Sequence, residues 1–500
     1  MLGKKEFEPK LIYNLDIGDL IPEDNFYRQL NKLLDLRFVY QECENLYGKT
    51  GNPSIDPVVF FKLNLFGFFE NIISDRELVR RAGDSLSIRY YLGYDIDEKL
   101  PWHSTISRTR GLIKKETFEK IFEKVLEKCN EAGLIEGKHQ SIDSTLVKAN
   151  ASYESVERKE PKLSIKEFTE KTYEENKEDI KEKKDKDNND DEDKPNSEIK
   201  QAKINKKKKH YIKDRNKKYF SRTDPDSRIA KKPGKMIGLY YTTHYAADSK
   251  NRVITDVLTT NADRKDSGAL MEVYERSEER LKHLGLTIEE LSADKGYCSG
   301  ENLRELESRQ VKAYIPFQKT RMAGSIPGKK FIYNEDKDIF VCPSNKELKF
   351  STYDKKRQTK RYWAKRKDCS QCPLKEKCCP NTQAKNLNRT IFYKEYERTE
   401  ERLKTPMARR AAIIRETVSE GLFAEAKGNH GLRKFMTRGI DNAQKKSYLI
   451  ATVQNLKRLI KSLKTKSKPA VQHSVVKHQE KLSNNIFGKS LFDLNFAWIQ

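Results

Sequence analysis

Gln140-Ser141-Ile142-Asp143-Ser144-Thr145-Leu146-Val147-Lys148-Ala149-Asn150 is the stretch on which the reading of this chain turns. Small and apolar residues lead into a carboxylate at Asp143, the pattern of a strand that delivers an acid to one edge of a sheet. A second strand-like run, Glu290-Leu291-Ser292-Ala293, ends on Asp294, and a helical run far downstream carries Glu420. A single Asp beside a strand is usually a turn or cap residue, and Glu420 alone is a surface glutamate. Taken together, the three carboxylates predict an oxygen-rich pocket for a divalent cation, Mg2+ or Mn2+.

Five hundred residues are enough for a sizeable core and for several domains. The 100 Lys plus Arg against 75 Asp plus Glu leave a formal charge of +25, and mean hydropathy is −0.87. That excess favours a polyanionic partner, DNA or RNA, over a merely soluble basic surface. No stretch has the apolar length of a membrane span, and Met1-Leu2-Gly3-Lys4-Lys5-Glu6 opens without an apolar signal core, so a cytoplasmic protein is expected.

Residues 1–135 read as a helical N-terminal domain. Asp56-Pro57 supplies an N-cap and a helix-opening proline ahead of Val58, Val59, Phe60 and Leu63. Ser74-Asp75-Arg76-Glu77 fits a capping box, Ser104 is placed to cap a short helix, and a longer helix is expected over Thr117 to Glu131. Arg80, Arg81, Arg89, Arg108 and Arg110 near turns suit a helix-turn-helix-like DNA-binding bundle; an ordinary helical domain with arginines on its wet face reads equally well.

An α/β layer is expected over 136–153 and 236–325. Residues 236–246 and 252–258 form a hairpin about Asp248-Ser249-Lys250-Asn251, followed by alternating helices and strands. Between these parts, 154–235 is so charged and so poor in apolar residues that it reads as a disordered or loosely helical insertion. Residues 326–394 form a Cys-rich insertion. Residues 395–465 carry two long helices, the first opened by Thr405-Pro406, and 466–500 are a polar tail whose apolar end, Phe492 to Trp498, is placed to dock on the body.

At three places the chain resembles the DDE transposases of bacterial insertion sequences: Ser141-Ile142-Asp143-Ser144-Thr145, Ala293-Asp294-Lys295-Gly296-Tyr297, and Glu420-Gly421-Leu422-Phe423-Ala424-Glu425-Ala426-Lys427 followed by Gly431-Leu432-Arg433-Lys434-Phe435. The resemblance implies an RNase H-like mixed-sheet catalytic domain with Asp143, Asp294 and Glu420 as the catalytic, metal-holding trio. It also implies double-stranded DNA with terminal inverted repeats as substrate, cleavage followed by strand transfer, and a homodimer or larger complex that brings two ends together. Glu420 and Lys427 stand two helical turns apart on one face, so Lys427 can lie along DNA while Glu420 reaches metal. Arg433, Lys434 and Arg438 extend that basic track toward phosphates, with Arg108 and Arg110 as N-terminal DNA contacts. Glu416 and Glu425 compete for the third acidic place; the motif and the Lys427 spacing select Glu420. Arg415 stands four residues before Glu420 where many members have three.

Five of the eight cysteines fall between Cys342 and Cys379. Too few for a disulfide scaffold, they suggest a structural Zn2+ held by Cys342, Cys369, Cys372 and Cys378, with Cys379 able to replace Cys378. Reduced, unliganded thiols are the other reading. Cys43, Cys129 and Cys298 read as structural.

Overall fold

The computed structural model describes residues 16–46, 54–159, 215–231, 236–317 and 330–466. Helices α1 (Phe26–Leu33), α2 (Phe38–Cys43), α3 (Pro57–Phe69), α4 (Asp75–Gly83), α5 (Leu86–Leu92), α6 (His103–Leu112) and α7 (Lys115–Glu131) form the N-terminal bundle. The cap expected at Asp56 is made: its carboxylate accepts from Val58 N and Val59 N at 2.7 and 3.2 Å, with Pro57 in the first turn where no N–H is missed. Apolar on nearly every side, α3 runs through the middle of the bundle and buries Phe60, Phe61, Leu63, Leu65 and Phe66.

Local chemistry departs from expectation at two helix starts. Ser74 accepts from Glu77 N at 3.5 Å, but the Glu77 carboxylate turns to Arg80 and Arg81 instead of closing the box. Helix α6 begins at His103, with Trp102 before it and no side-chain cap, so Ser104 lies inside the helix.

The main sheet is built on β1 (His139–Lys148). β5 (Gly238–Asp248) runs antiparallel along one edge of β1, and β6 (Ile254–Asn261) runs antiparallel to β5. On the other edge, β7 (Glu290–Ala293) and β8 (Lys312–Tyr314) lie parallel to β1 and to each other. Helices α8 (Asp266–His283) and α9 (Gly300–Ser308) make the crossovers that parallel strands require. Gly300 has no side chain for a reason: a Cβ there would stand 2.3 Å from the ring of Phe392, which leads into α10 (Tyr393–Arg402).

Long helices α11 (Pro406–Asn429) and α12 (Ile440–Lys466) cover this sheet. Phe423 of α11 stacks on Tyr245 of β5 with ring centroids 4.6 Å apart. From α12, Asn455 accepts from Ile254 N and donates to Ile254 O, both at 2.8 Å, and Gln444 does the same for Thr259 N and Val257 O at 2.6 and 2.8 Å. Two side-chain amides thus occupy the open edge of β6 that would otherwise invite another strand.

The ends of the charged insertion are ordered, against expectation. β2 (Val156–Arg158) pairs with β3 (Tyr219–Ser221), and β4 (Arg228–Ala230) joins β5 just beyond the end of β6. Asp224, fully buried, accepts from the Tyr241 hydroxyl at 2.6 Å and from Gly439 N at 3.1 Å. A polar residue is held inside by partners distant in sequence, which composition does not reveal. The rest of the insertion and the apolar end of the tail lie outside the described residues.

Residues 330–392 fold as a second sheet, β9 (Ile332–Asn334), β10 (Ile339–Val341), β11 (Glu347–Asp354), β12 (Thr359–Ala364) and β13 (Asn386–Thr390), antiparallel throughout. It has a small core of its own: Phe331, Leu348, Tyr362, Ala364 and Leu387.

Candidate active site

Parallel pairing of β1 with β7 stops at Ile142 and Ala293. The residue that follows each of these is an acid, Asp143 within β1 and Asp294 one residue past the end of β7, so both acids stand where the two strands part. Successive side chains of a strand face opposite ways, and β1 shows both environments. Asp143 and Thr145 face α11: Arg415 Nη1 lies 3.6 Å from Asp143 Oδ2, and the Lys427 ammonium donates to Thr145 Oγ1. Ser144 faces α8, its hydroxyl donating to Asp266 Oδ1 at 3.0 Å.

Tyr297, buried just past Asp294, reports how closely the acids gather. Burial holds its hydroxyl well above the ordinary phenol range, and the charges of Asp266, Asp143 and Asp294 push the same way. The same hydroxyl bonds His244 Nδ1 at 2.7 Å, and His244 Nε2 reaches Thr260 Oγ1 at 3.1 Å. Gly296 leaves room for Asp266, whose Oδ2 would stand 3.0 Å from a Cβ there. Sequence reasoning missed Asp266. Its one signal is its place as the first residue of a helix that follows a sheet strand, where carboxylates are ordinarily caps.

Glu420 lies on α11 with its side chain exposed and has no ion-pair partner among the described residues. Glu416 is likewise exposed. Glu425 is committed elsewhere: Lys457 and Arg458 each stand 2.9 Å from its oxygens, with His430 and Gln454 beside them. Burial alone would raise its pKa, but His430, Arg458 and Lys457 outweigh it and hold the carboxyl far below the usual range.

Among the described residues, no three His, Cys, Asp or Glu side chains stand close enough to hold a metal ion. Asp143, Asp294 and Glu420 have the right donor chemistry for Mg2+ or Mn2+, but the expected closed pocket is not formed: Asp143 faces a guanidinium and Glu420 faces solvent. The cysteines are similar. Cys342, Cys369, Cys372, Cys378 and Cys379 line one cavity of about 30 Å³. Backbone N–H groups of Lys346 and Lys385 point at Cys342 Sγ and Cys369 Sγ at 3.3 and 3.5 Å. Burial nevertheless pushes the Cys378 thiol up to about 11, and no three of these thiols are placed as a metal site requires. All eight cysteines are free; Cys43 and Cys129 are buried, and burial pushes the Cys298 thiol up to about 11.

The basic track is joined to β1. Lys148 N donates to Arg433 O at 3.2 Å and Phe435 N to Lys148 O at 2.9 Å, so the segment bearing Arg433, Lys434 and Arg438 runs beside the strand that bears Asp143. All three side chains are exposed. Arg108 is exposed too, but Arg110 is not placed to meet DNA. Its guanidinium is buried and bidentate on Asp75 at 2.7 and 3.0 Å, with Asn64 Oδ1 at 3.3 Å. It links α6 to α4.

Two family models match the chain: Transposase domain (DUF772) over residues 15–112 and Transposase DDE domain over residues 341–460. Both matches support a DDE transposase of insertion-sequence type. The second match covers the five clustered cysteines and the helix bearing Glu420, and begins after Asp143 and Asp294. No curated protein sequence matches the chain. No helix among the described residues is long and apolar enough to cross a membrane.

Where the N-terminal bundle meets α12, Lys446 lines a cavity of about 40 Å³ with Asp75, Arg110, His430 and Lys434. Burial, then the like charge of Arg110, pushes its ammonium down to about 7 against the pull of Asp75. A lysine with a depressed folded pKa penalises the fold fully below about 7, and the penalty fades as pH rises toward the ordinary lysine range. Lys446→Met is therefore expected to raise the melting temperature by several degrees at pH 6, the gain shrinking between pH 7 and 10; a pH series of thermal melts checks it.

Proposed function

We propose that this transposase binds the terminal inverted repeats of its element as double-stranded DNA, cuts at the ends, and joins the freed 3′-hydroxyl to target DNA. The observation that carries this is the placement of Asp143 and Asp294 directly after Ile142 and Ala293, the last paired residues of two neighbouring parallel strands, beneath the helix that bears Glu420. The strand order β6-β5-β1-β7-β8, three antiparallel strands followed by a parallel pair, supports assigning the sheet to the RNase H-like class. Lys427, Arg433, Lys434 and Arg438 would lie along DNA phosphates beside the acids.

This reading calls for a divalent cation, Mg2+ or Mn2+, held by Asp143, Asp294 and Glu420; when bound, it activates water and stabilises the leaving oxygen. Arg415 would then have to leave Asp143. Zn2+ on Cys342, Cys369, Cys372 and Cys378 would have a purely structural part. Two ends need two sites, so a homodimer in a synaptic complex belongs to the proposal, as does action in the cytoplasm.

The test is a labelled duplex carrying the element's own ends, incubated with the protein with and without Mg2+ or Mn2+. Cut and joined products that require the metal are expected. Cutting without joining would move the assignment to a nuclease or resolvase on the same fold. Binding without cutting under either metal would leave a zinc-bearing DNA-binding regulator with a dead site.

A further inference from the structure

We propose that α6, led by Trp102, is the element with which the chain reads the DNA of its ends; the assignment rests on the transposase reading above. α6 buries Ile106, Thr109 and Arg110 against the bundle and turns Ser107, Arg108, Gly111 and Leu112 to solvent. Trp102, immediately before it, is 69% exposed, with its ring 4.9 Å from that of His103. A bare tryptophan and an arginine beside small polar side chains form a face that admits a base-pair edge closely and offers a guanidinium to it.

Elimination supports the choice. On α4, Arg80 and Arg81 are tied to Glu77 and Asp84, which leaves only the exposed Arg76 there without an ion pair among the described residues. Arg89 of α5 is tied to the carbonyls of Gly83, Asp95 and Glu98 at 2.8 to 3.0 Å, and Arg110 to Asp75. Arg108 has no such partner among the described residues, and neither has exposed Lys114 just beyond the helix.

Position supports it as well. The Lys445 ammonium donates to Arg110 O at 3.1 Å, and Lys115, three residues past α6, pairs with Asp441 at 3.2 Å, beside the end of the Arg433 to Arg438 track. A duplex lying on that track continues over α6, and the charge of the surface matches it.

The test measures binding of the full-length protein to the labelled end duplex and to a scrambled duplex, by fluorescence anisotropy with competitor DNA. Arg108→Ala and Ser107→Glu alter exposed positions and leave the packed face intact. Each is expected to weaken end binding by about ten-fold or more while scrambled DNA is bound nearly as before, and Trp102→Ala should act in the same direction. Arg81→Ala, which removes an arginine already paired, should bind like the parent. Undiminished end preference in both Arg108→Ala and Ser107→Glu overturns the assignment of α6 and leaves the transposase reading standing. A parent protein with no preference for its ends overturns both.

Discussion

Asp256→Ala is expected to destabilise the protein by about 3–5 kcal/mol, the cost of leaving buried guanidinium charge without its carboxylate. Asp256 is wholly inaccessible on β6, and two arginines of α8 close on it: Arg276 Nε at 3.1 Å from Oδ2, and Arg280 through Nη1 to Oδ1. Glu119 of α7 holds both guanidiniums from the other side, and the Tyr448 hydroxyl of α12 accepts from Arg276. Four segments distant in sequence therefore share one charge cluster, which fastens the N-terminal bundle and the last helix to the sheet. Glu119 cannot replace the lost carboxylate, because the two arginines would then crowd around a single acid. The opposing effect is hydration: a cavity of about 250 Å³ lined by Glu119, Glu123, Arg276 and Arg280 adjoins the cluster. Arg280, only 8% exposed, lies too deep for that water to solvate it fully. Urea titration of parent and variant decides the matter, and a loss below about 1 kcal/mol would show that water takes over.

The contrast between Asp256 and Asp143 explains what could be read from sequence. Asp143, Asp294, the hairpin of β5 and β6, and the Asp56-Pro57 helix start carry their signals locally, in strand-like runs, a turn, and a cap next to a proline. Arg110 and Asp224 carry none. Arg110 stands on a short helix like its neighbour Arg108, and only the arrival of Asp75 from another helix turns one inward while the other stays exposed. Residues 215–231 look like spacer because they own few apolar side chains, yet Ile229 and Asp224 are buried by β5 and by the segment before α12. Asp266 was hidden in the same way, being a plain helix-start carboxylate until β1 and the loop after β7 are folded against it. Chemistry that depends on a partner far along the chain leaves no periodic trace.

For the third carboxylate, Glu420→Gln is expected to reduce strand cleavage by on the order of 10³-fold or more, with the melting temperature unchanged. Three glutamates of α11 compete for the role, and packing separates them. Arg415 reaches Asp143 and Lys427 reaches Thr145, two residues further along β1. The helix between them must therefore pass over the acid, and Glu420 lies near the middle of that interval while Glu416 lies at its edge. Glu420 also shares the stripe of Lys427, whose ammonium is already drawn to β1. Glu425 points the other way, into Lys457, Arg458 and His430, where it neutralises charge between α11 and α12. Glu425→Gln should therefore cost about 1–3 kcal/mol of stability and spare cleavage per folded molecule. Its carboxyl is held below the ordinary glutamate range, so the stability it contributes is present above that range and fades as acid protonates it; the stability difference between parent and Glu425→Gln should accordingly narrow at low pH. Cleavage lost at full stability in Glu425→Gln, with Glu420→Gln active, would transfer the role to Glu425 and require α11 to turn its buried face toward DNA.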